Sequence, residues 1–207
     1  MSSKLLPITG IVLIPAGLLA LVLSLLLLGG SSAEATCNPG QDSTVTIGAD
    51  DVPTGEVNGY RGEQLINAAH ILRAGADLGM SVRDQTIGVM TAMGESSLHV
   101  LDHGDAAGPD SRGLFQQRDN GAWGSYADRM DPYVSATNFF EAMIQLHERD
   151  SLEPTMVAHR VQRNADPFHY ERYWDDAVAV VEALSGTDTG LNLGAGGVVS
   201  LRPLPRP

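Results

Sequence analysis

The pattern of apolar and polar positions divides the chain into four unequal stretches. From Leu5 to Leu28 almost every residue is apolar, with Lys4 just ahead of the run. A run of that length spans a hydrocarbon core of roughly 30 Å, and membrane helices tolerate prolines such as Pro7 and Pro15 as kinks. Residues 1–30 therefore read as a transmembrane anchor with a cytoplasmic N-terminus. The alternative is a cleaved signal peptide with Ala33-Glu34-Ala35 as its small-residue site. Either delivers the rest of the chain outside the cytoplasm. Residues 31–59 lose all periodicity and carry Glu34, Asp42, Asp50, Asp51 and Glu56 with no Lys or Arg, which reads as a flexible, self-repelling acidic linker. Helical periodicity fills residues 60–185. Residues 186–207 are Gly-rich and end Arg202-Pro203-Leu204-Pro205-Arg206-Pro207, a disordered tail that is extended at its end.

Within residues 60–185, Leu65, Ile66, Ala69, Leu72 and Ala76 recur at helical spacing, and Glu63, Asn67, His70, Arg73 and Asp77 fill the other side. The spacing predicts an amphipathic helix over Arg61 to Leu78, ended by Gly79. Ser81-Val82-Arg83-Asp84 has the form of a capping box and starts a second helix. That helix is almost wholly apolar from Thr86 to Gly94, too uniform for a one-faced surface helix, so it belongs inside the core. Asp131-Pro132 is a cap followed by Pro at the first helical position, with Tyr133, Ala136, Phe140, Met143 and Ile144 as the stripe behind it. A short helix is predicted around Pro154 to Gln162. Asp166-Pro167 repeats the start signal ahead of Tyr170, Trp174, Ala177, Val178, Val181 and Leu184, and Ser185-Gly186 stops this last helix. Alternation with period two is missing apart from a candidate hairpin within Leu98 to Arg118. The predicted fold is mainly α, a helical bundle around its second helix, and its length suffices for a single core.

The candidate chemistry lies where that apolar helix ends. Glu95 follows the buried run directly, so hydrophobic walls disfavour its charged form, as does the negative end of the helix. Both raise its pKa, and a carboxyl group kept protonated near neutral pH is what a general acid requires. The chain then passes through Asp102, Gly104, Asp105, Gly108 and Pro109 into Ser111-Arg112-Gly113-Leu114-Phe115-Gln116-Gln117-Arg118. Gly113 permits a close backbone approach or a positive φ, and Leu114 and Phe115 can pin the loop to the core. Gln116 and Gln117 offer amides suited to the hydroxyl and N-acetyl groups of a sugar chain, with one of them expected to face the substrate. Ser111 serves either the loop or a sugar. Trp123, Tyr126, Tyr170 and Tyr173 could pack in the core or stack on sugar rings.

Composition narrows the choice further. A net charge of −12 and a pI near 4.7 leave no basic stripe to displace phosphate counterions, so nucleic acid is excluded as a partner. The single cysteine, Cys37, excludes an internal disulfide and is too solitary for zinc. His99, His103 and Asp105 share one polar loop, with no second pair of ligands at regular spacing, so no metal or other cofactor is expected. Ser96 and Ser111 lack the Gly-x-Ser-x-Gly elbow of a serine hydrolase.

Three pieces in order, Ala92-Met93-Gly94-Glu95-Ser96, then Ser111 through Arg118, then Val161-Gln162-Arg163-Asn164-Ala165, resemble successive motifs of the lysozyme-like superfamily. The nearest likeness is to soluble lytic transglycosylase domains of an actinobacterial cell-wall and conjugation branch, over roughly Tyr60 to Leu184. The resemblance implies an α+β lysozyme-like fold in which Glu95 is the general acid and base. The implied reaction cleaves the β-1,4 bond between N-acetylmuramic acid and N-acetylglucosamine of peptidoglycan glycan strands, giving 1,6-anhydro products. Ser111, Gly113, Gln116, Gln117, Asn164 and Tyr170 become the expected substrate contacts. Where the family often has Tyr-Asn-Ala-Gly, this chain reads Arg163-Asn164-Ala165-Asp166, so the Tyr and Gly beside Asn164 are missing. Two other readings stay open. One is a hydrolytic muramidase with Asp102 or Asp105 as second carboxylate. The other is a non-catalytic wall-binding module of a membrane secretion or conjugation complex.

Overall fold

The computed structural model describes residues 43–47 and 52–194. The Leu5–Leu28 run, Cys37 and residues 195–207 lie outside these, and with them the expected anchor and most of the expected tail. Among the described residues no helix is long and apolar enough to cross a membrane. They form a mainly helical structure with one two-stranded sheet. Strands β1 (Glu56–Val57) and β2 (Tyr60–Arg61) are followed by helices α1 (Glu63–Asp77), α2 (Val82–Ser96), α3 (Tyr126–Met130), α4 (Pro132–Ile144), α5 (Pro154–Gln162) and α6 (Trp174–Ser185).

Helix α2 is the centre, packed by α1, α4, α5 and α6. Its buried residues run without a break from Asp84 to Met93, so no face is left for solvent. Gly88 belongs to this packing: a Cβ there would stand 2.6 Å from Phe140 Cζ, so the absent side chain lets the α4 ring reach the α2 backbone. Phe115 and Phe139 stack with centroids 4.6 Å apart, and Phe140 meets Phe139 edge-on, which joins the loop before α3 to α4. Such pairs contribute about 0.5–1.5 kcal/mol beyond their burial.

The caps follow local chemistry. Ser81 accepts from the Asp84 N–H, but Asp84 does not return the bond that would complete a capping box. Its buried carboxylate faces Arg149 at 3.1 Å instead. Asp131 accepts from the N–H groups of Tyr133 and Val134 ahead of Pro132, as the sequence predicts.

Several expectations are corrected. The sheet lies within and beside the expected linker, at 56–61, and not within Leu98 to Arg118, where only an isolated Arg112–Gln117 bridge forms. Asn58-Gly59 explains this: both take positive φ, 47° and 89°, as a two-residue hairpin turn demands. The expected linker is also not free throughout. Gln85, wholly buried in α2, accepts from the Val45 N–H at 2.8 Å, and its Nε2 donates to the carbonyls of Val45 and Leu72. Helix α1 is rotated from its expected face, with Asn67 buried and Ile66 48% exposed. Asn67 is tolerated inside because its amide donates to Leu98 O at 2.8 Å. The Asp166-Pro167 signal starts a turn, and α6 begins only at Trp174 after a 3-10 turn over Glu171–Tyr173.

Candidate functional site

Glu95 is the penultimate residue of α2, half-buried at the point where the helix leaves the core. Ser97 and Leu98, with φ of 53° and 62°, turn the chain sharply. The Leu98 N–H returns to Ala92 O and the Ser97 N–H to Met93 O, a nested pair of bonds that caps the last carbonyls of the helix. Two successive non-glycine residues in the left-handed region store strain of about 1–2 kcal/mol each. Burial of Leu98 and its carbonyl bond from Asn67 hold them there.

Three neighbours of Glu95 come from the end of α5 and the turn after it. Tyr170 is 0% exposed, and its hydroxyl donates a hydrogen bond to Glu95 Oε1. Gly94 makes room for this ring: a Cβ there would lie 2.7 Å from Tyr170 Cδ1. His169 stands edge-on to Tyr170, with its Nε2 3.3 Å from Gly94 O. Gln162, the last residue of α5, acts on the Glu95 charge and donates from Nε2 to Phe115 O at 2.7 Å.

Burial raises the Glu95 pKa above the ordinary carboxyl range, and burial outweighs the opposing pulls of the Tyr170 hydrogen bond, the Gln162 amide and the His169 charge. Asp105 adds a smaller upward push. The Tyr170 hydroxyl is pushed up as well, first by burial and then by the Glu95 charge, so it stays a proton donor in this pair. The arrangement favours the protonated form of the carboxyl and sets it beside a loop of polar groups. It can deliver a proton and take one back.

That loop is a tight turn. Arg112 and Gln117 exchange both backbone bonds, at 3.1 and 2.9 Å, around Gly113-Leu114-Phe115-Gln116. Gly113 has φ of 74°, and a Cβ on it would lie 1.9 Å from Arg129 O, so only glycine fits. Ser96, next to Glu95, donates from Oγ to Leu114 O at 2.9 Å. Consecutive loop carbonyls, of Leu114 and Phe115, are thus held by Ser96 and by Gln162.

The expected substrate contacts fare unequally. Gln116 is half-buried, with its Nε2 3.3 Å from Gly113 O, and keeps surface to offer. Gln117 is 2% exposed and donates to Ser135 O, so it serves the core. Ser111 is buried, and Gly113 spends its freedom on Arg129. The Asn164 amide is engaged at both ends, by His159 Nδ1 at 2.8 Å and Asp166 O at 2.9 Å. Tyr170 has no exposed face to stack on a ring and instead holds the acid.

The two other carboxylates differ. Asp102 is taken up by Arg112 at 3.0 Å and the Tyr126 hydroxyl at 2.7 Å. Asp105 accepts the Ala107 and Gly108 N–H groups on Oδ1 and is the one whose charge reaches Glu95. The sequence reading missed Gln162 and His169. Gln162 had a signal: it continues the buried stripe of α5 four residues after Ala158, where an amide must find partners. His169 had none, because its position depends on the turn that the sequence read as a helix start.

The fold and site together define a mainly helical domain that presents one half-buried acid at the end of its central helix. No family model matches the chain, and no curated protein matches it.

Proposed function

We propose that this chain is a lysozyme-like lytic transglycosylase acting on peptidoglycan, with Glu95 as its general acid and base. One observation carries the reading: a single carboxyl with a pKa raised by burial, gripped by a buried tyrosine at the exit of a helix that is itself wholly enclosed. Glu95 gives its proton to the oxygen between N-acetylmuramic acid and N-acetylglucosamine, and the bond breaks through an oxocarbenium-like state. The C6 hydroxyl of the muramic residue then attacks C1, helped by its intramolecular position. Its proton passes to the Glu95 carboxylate, which restores the acid and leaves a 1,6-anhydro ring. No second carboxylate is required for this sequence. The commitment of Asp102 to Arg112 and Tyr126 fits that economy.

A hydrolytic muramidase is the second reading, favoured by one observation: the Asp105 charge is felt at Glu95. In that case Asp105 activates water or attacks C1. Product mass separates the two, since an anhydro product is lighter by one water than its hydrolytic counterpart. The Leu5–Leu28 run supports placing the domain on the outer side of a membrane, where peptidoglycan lies, alone or within a secretion or conjugation apparatus.

The deciding experiment is mass spectrometry of purified peptidoglycan digested by the wild type and by Glu95→Gln. Anhydro-muropeptides are expected from the wild type. The variant should lose activity by a factor of 10² or more, the scale of general acid catalysis, while still sedimenting with insoluble walls. Equal release by both proteins would overturn Glu95 as the acid, and no release by the wild type would end the enzyme reading and leave a passive wall-binding module.

A further inference from the structure

The turn that grips the acid from within carries a braced cation on its outer side. Backbone bonds from Glu171 N to Phe168 O and from Tyr173 N to Tyr170 O wind residues 168–173 tightly, so that residues three apart share a face. Tyr170 and Tyr173 share the face turned to α2: a Cβ on Gly94 would lie 2.7 Å from the first ring and 3.3 Å from the second. Arg172 lies over the Tyr173 ring, with its guanidinium carbon 4.8 Å from the centroid. Its Nη2 also donates to the Tyr173 hydroxyl at 2.8 Å. One aromatic ring thus separates an exposed guanidinium from the last turn of α2, which carries Glu95.

Charge sets this arginine apart. The chain has a net charge of −12, and every arginine among the described residues pairs with a carboxylate except Arg163 and Arg172. Glu171 precedes Arg172 without pairing with it, and the Asp176 carboxylate accepts from Asn58 Nδ2 at 3.2 Å. The fork is therefore not neutralised within the described fold. Ring and hydroxyl together steady it, so less freedom is lost when a ligand binds. Its Nε and Nη1 meet no acceptor among the described residues, and they form an edge that matches the two oxygens of a carboxylate.

We propose that Arg172 anchors an anionic group of the substrate, a carboxylate of the peptide stem borne by the muramic residue. The proposal deepens the glycan-cleavage reading of Glu95 and rests on it. Stems branch from the sugar whose glycosidic bond is to be cut, so their carboxylates pass beside the acid. An acidic protein repels such a strand at long range, and a cation fixed next to the acid offsets that repulsion where the strand must settle. Arg172 does not touch the reacting atoms in this account and sets which strands are held. A plain packing use, as a cover for Tyr173, would be blind to the charge of the substrate.

The test uses the full chain and two preparations of soluble, stem-bearing glycan strands. One is native, and in the other the stem carboxylates are converted to amides with carbodiimide and ammonia. The wild type should digest the native strands with kcat/KM higher by about threefold to tenfold, the scale of one partly exposed charge-assisted contact. The difference should lie in KM and shrink as salt is raised. Arg172→Gln should digest both preparations at the rate of the wild type on the amidated one. Arg172→Lys should recover part of the preference, since it restores the charge without the fork. A wild type that treats the two preparations alike overturns the proposal. So does an Arg172→Gln that loses the same factor on both, the mark of packing alone. Should the wild type cut neither, calorimetric binding of the same preparations decides. A carboxylate preference that Arg172→Gln abolishes then leaves the Arg172 assignment standing and overturns the glycan-cleavage reading, and equal binding overturns both.

Discussion

Glu95 is held in the folded protein at a cost that depends on pH. Its folded pKa lies above its unfolded value, so the native state binds the proton more tightly than the unfolded chain does. Stability from this group is therefore complete below the ordinary carboxyl value and is lost as pH climbs toward the raised one. Glutamine copies the protonated acid in shape and can still accept from Tyr170. Glu95→Gln should accordingly melt higher than the wild type at neutral pH, with the gap closing as the buffer is taken below the ordinary carboxyl range. Scanning calorimetry at several pH values checks it, and a gap that widens in acid would refute the burial account. Gly94 gives a second test at the same scale. Alanine is the better helix former by about 0.8–1.0 kcal/mol, yet its Cβ would meet Tyr170 at 2.7 and 3.0 Å and Tyr173 at 3.3 Å. Overpacking of this kind costs about 1–3 kcal/mol, so Gly94→Ala should lose stability, and lose activity more steeply because the Tyr170 hydroxyl is levered away from Glu95. A thermal melt beside a digestion assay reads both.

At the scale of the element, the ending of α2 sets the position of the acid. Ser97 is exposed with φ of 53°, a conformation that glycine adopts without penalty. Ser97→Gly should stabilise the fold by roughly 0.5–1 kcal/mol, the relief of left-handed strain less the entropy added to the unfolded chain. Asn67→Ala should cost about 1–3 kcal/mol, because it strips the buried Leu98 carbonyl of its donor. Urea titration of each variant measures these changes. The contrast between the two shows what can be read from sequence. The extents of α1, α2, α4 and α5 were legible because periodicity and caps are local: Ser81 for α2, Asp131-Pro132 for α4, Pro154 for α5. Asn67 was read as a surface residue because its partner is not local, and the rotation of α1 follows from that partner. Glu95 was legible because an enclosed helix points to its own end. Tyr170 and Gln162 were not assigned their parts because the contacts that define them cross most of the domain, and no spacing along the chain encodes such a meeting.

On the whole molecule, the boundary between domain and linker is drawn by one buried amide. Gln85 lies in the central helix with no exposed surface, and a polar side chain there is tolerable only when its hydrogen bonds are made. It makes three, to Val45 N, Val45 O and Leu72 O, and two of them reach back to a segment that composition assigns to a flexible linker. Thr44 Oγ1 adds a bond to Met80 O, and the Val82 N–H one to Ser43 O, so the first residue of α2 is joined to the same segment. Ser43, Thr44 and Val45, inside a stretch whose composition reads as a linker, thus find their partners within the fold. Gln85→Leu fits the apolar surroundings in size but leaves the Val45 backbone and the Leu72 carbonyl without their partner, at a cost of about 1–3 kcal/mol for each orphaned group that water cannot reach. Hydrogen exchange should then quicken at Val45 and Val82 well before it does in α4, and the melting temperature should fall. If Val45 exchanged freely in the wild type already, the segment would not be part of the folded unit.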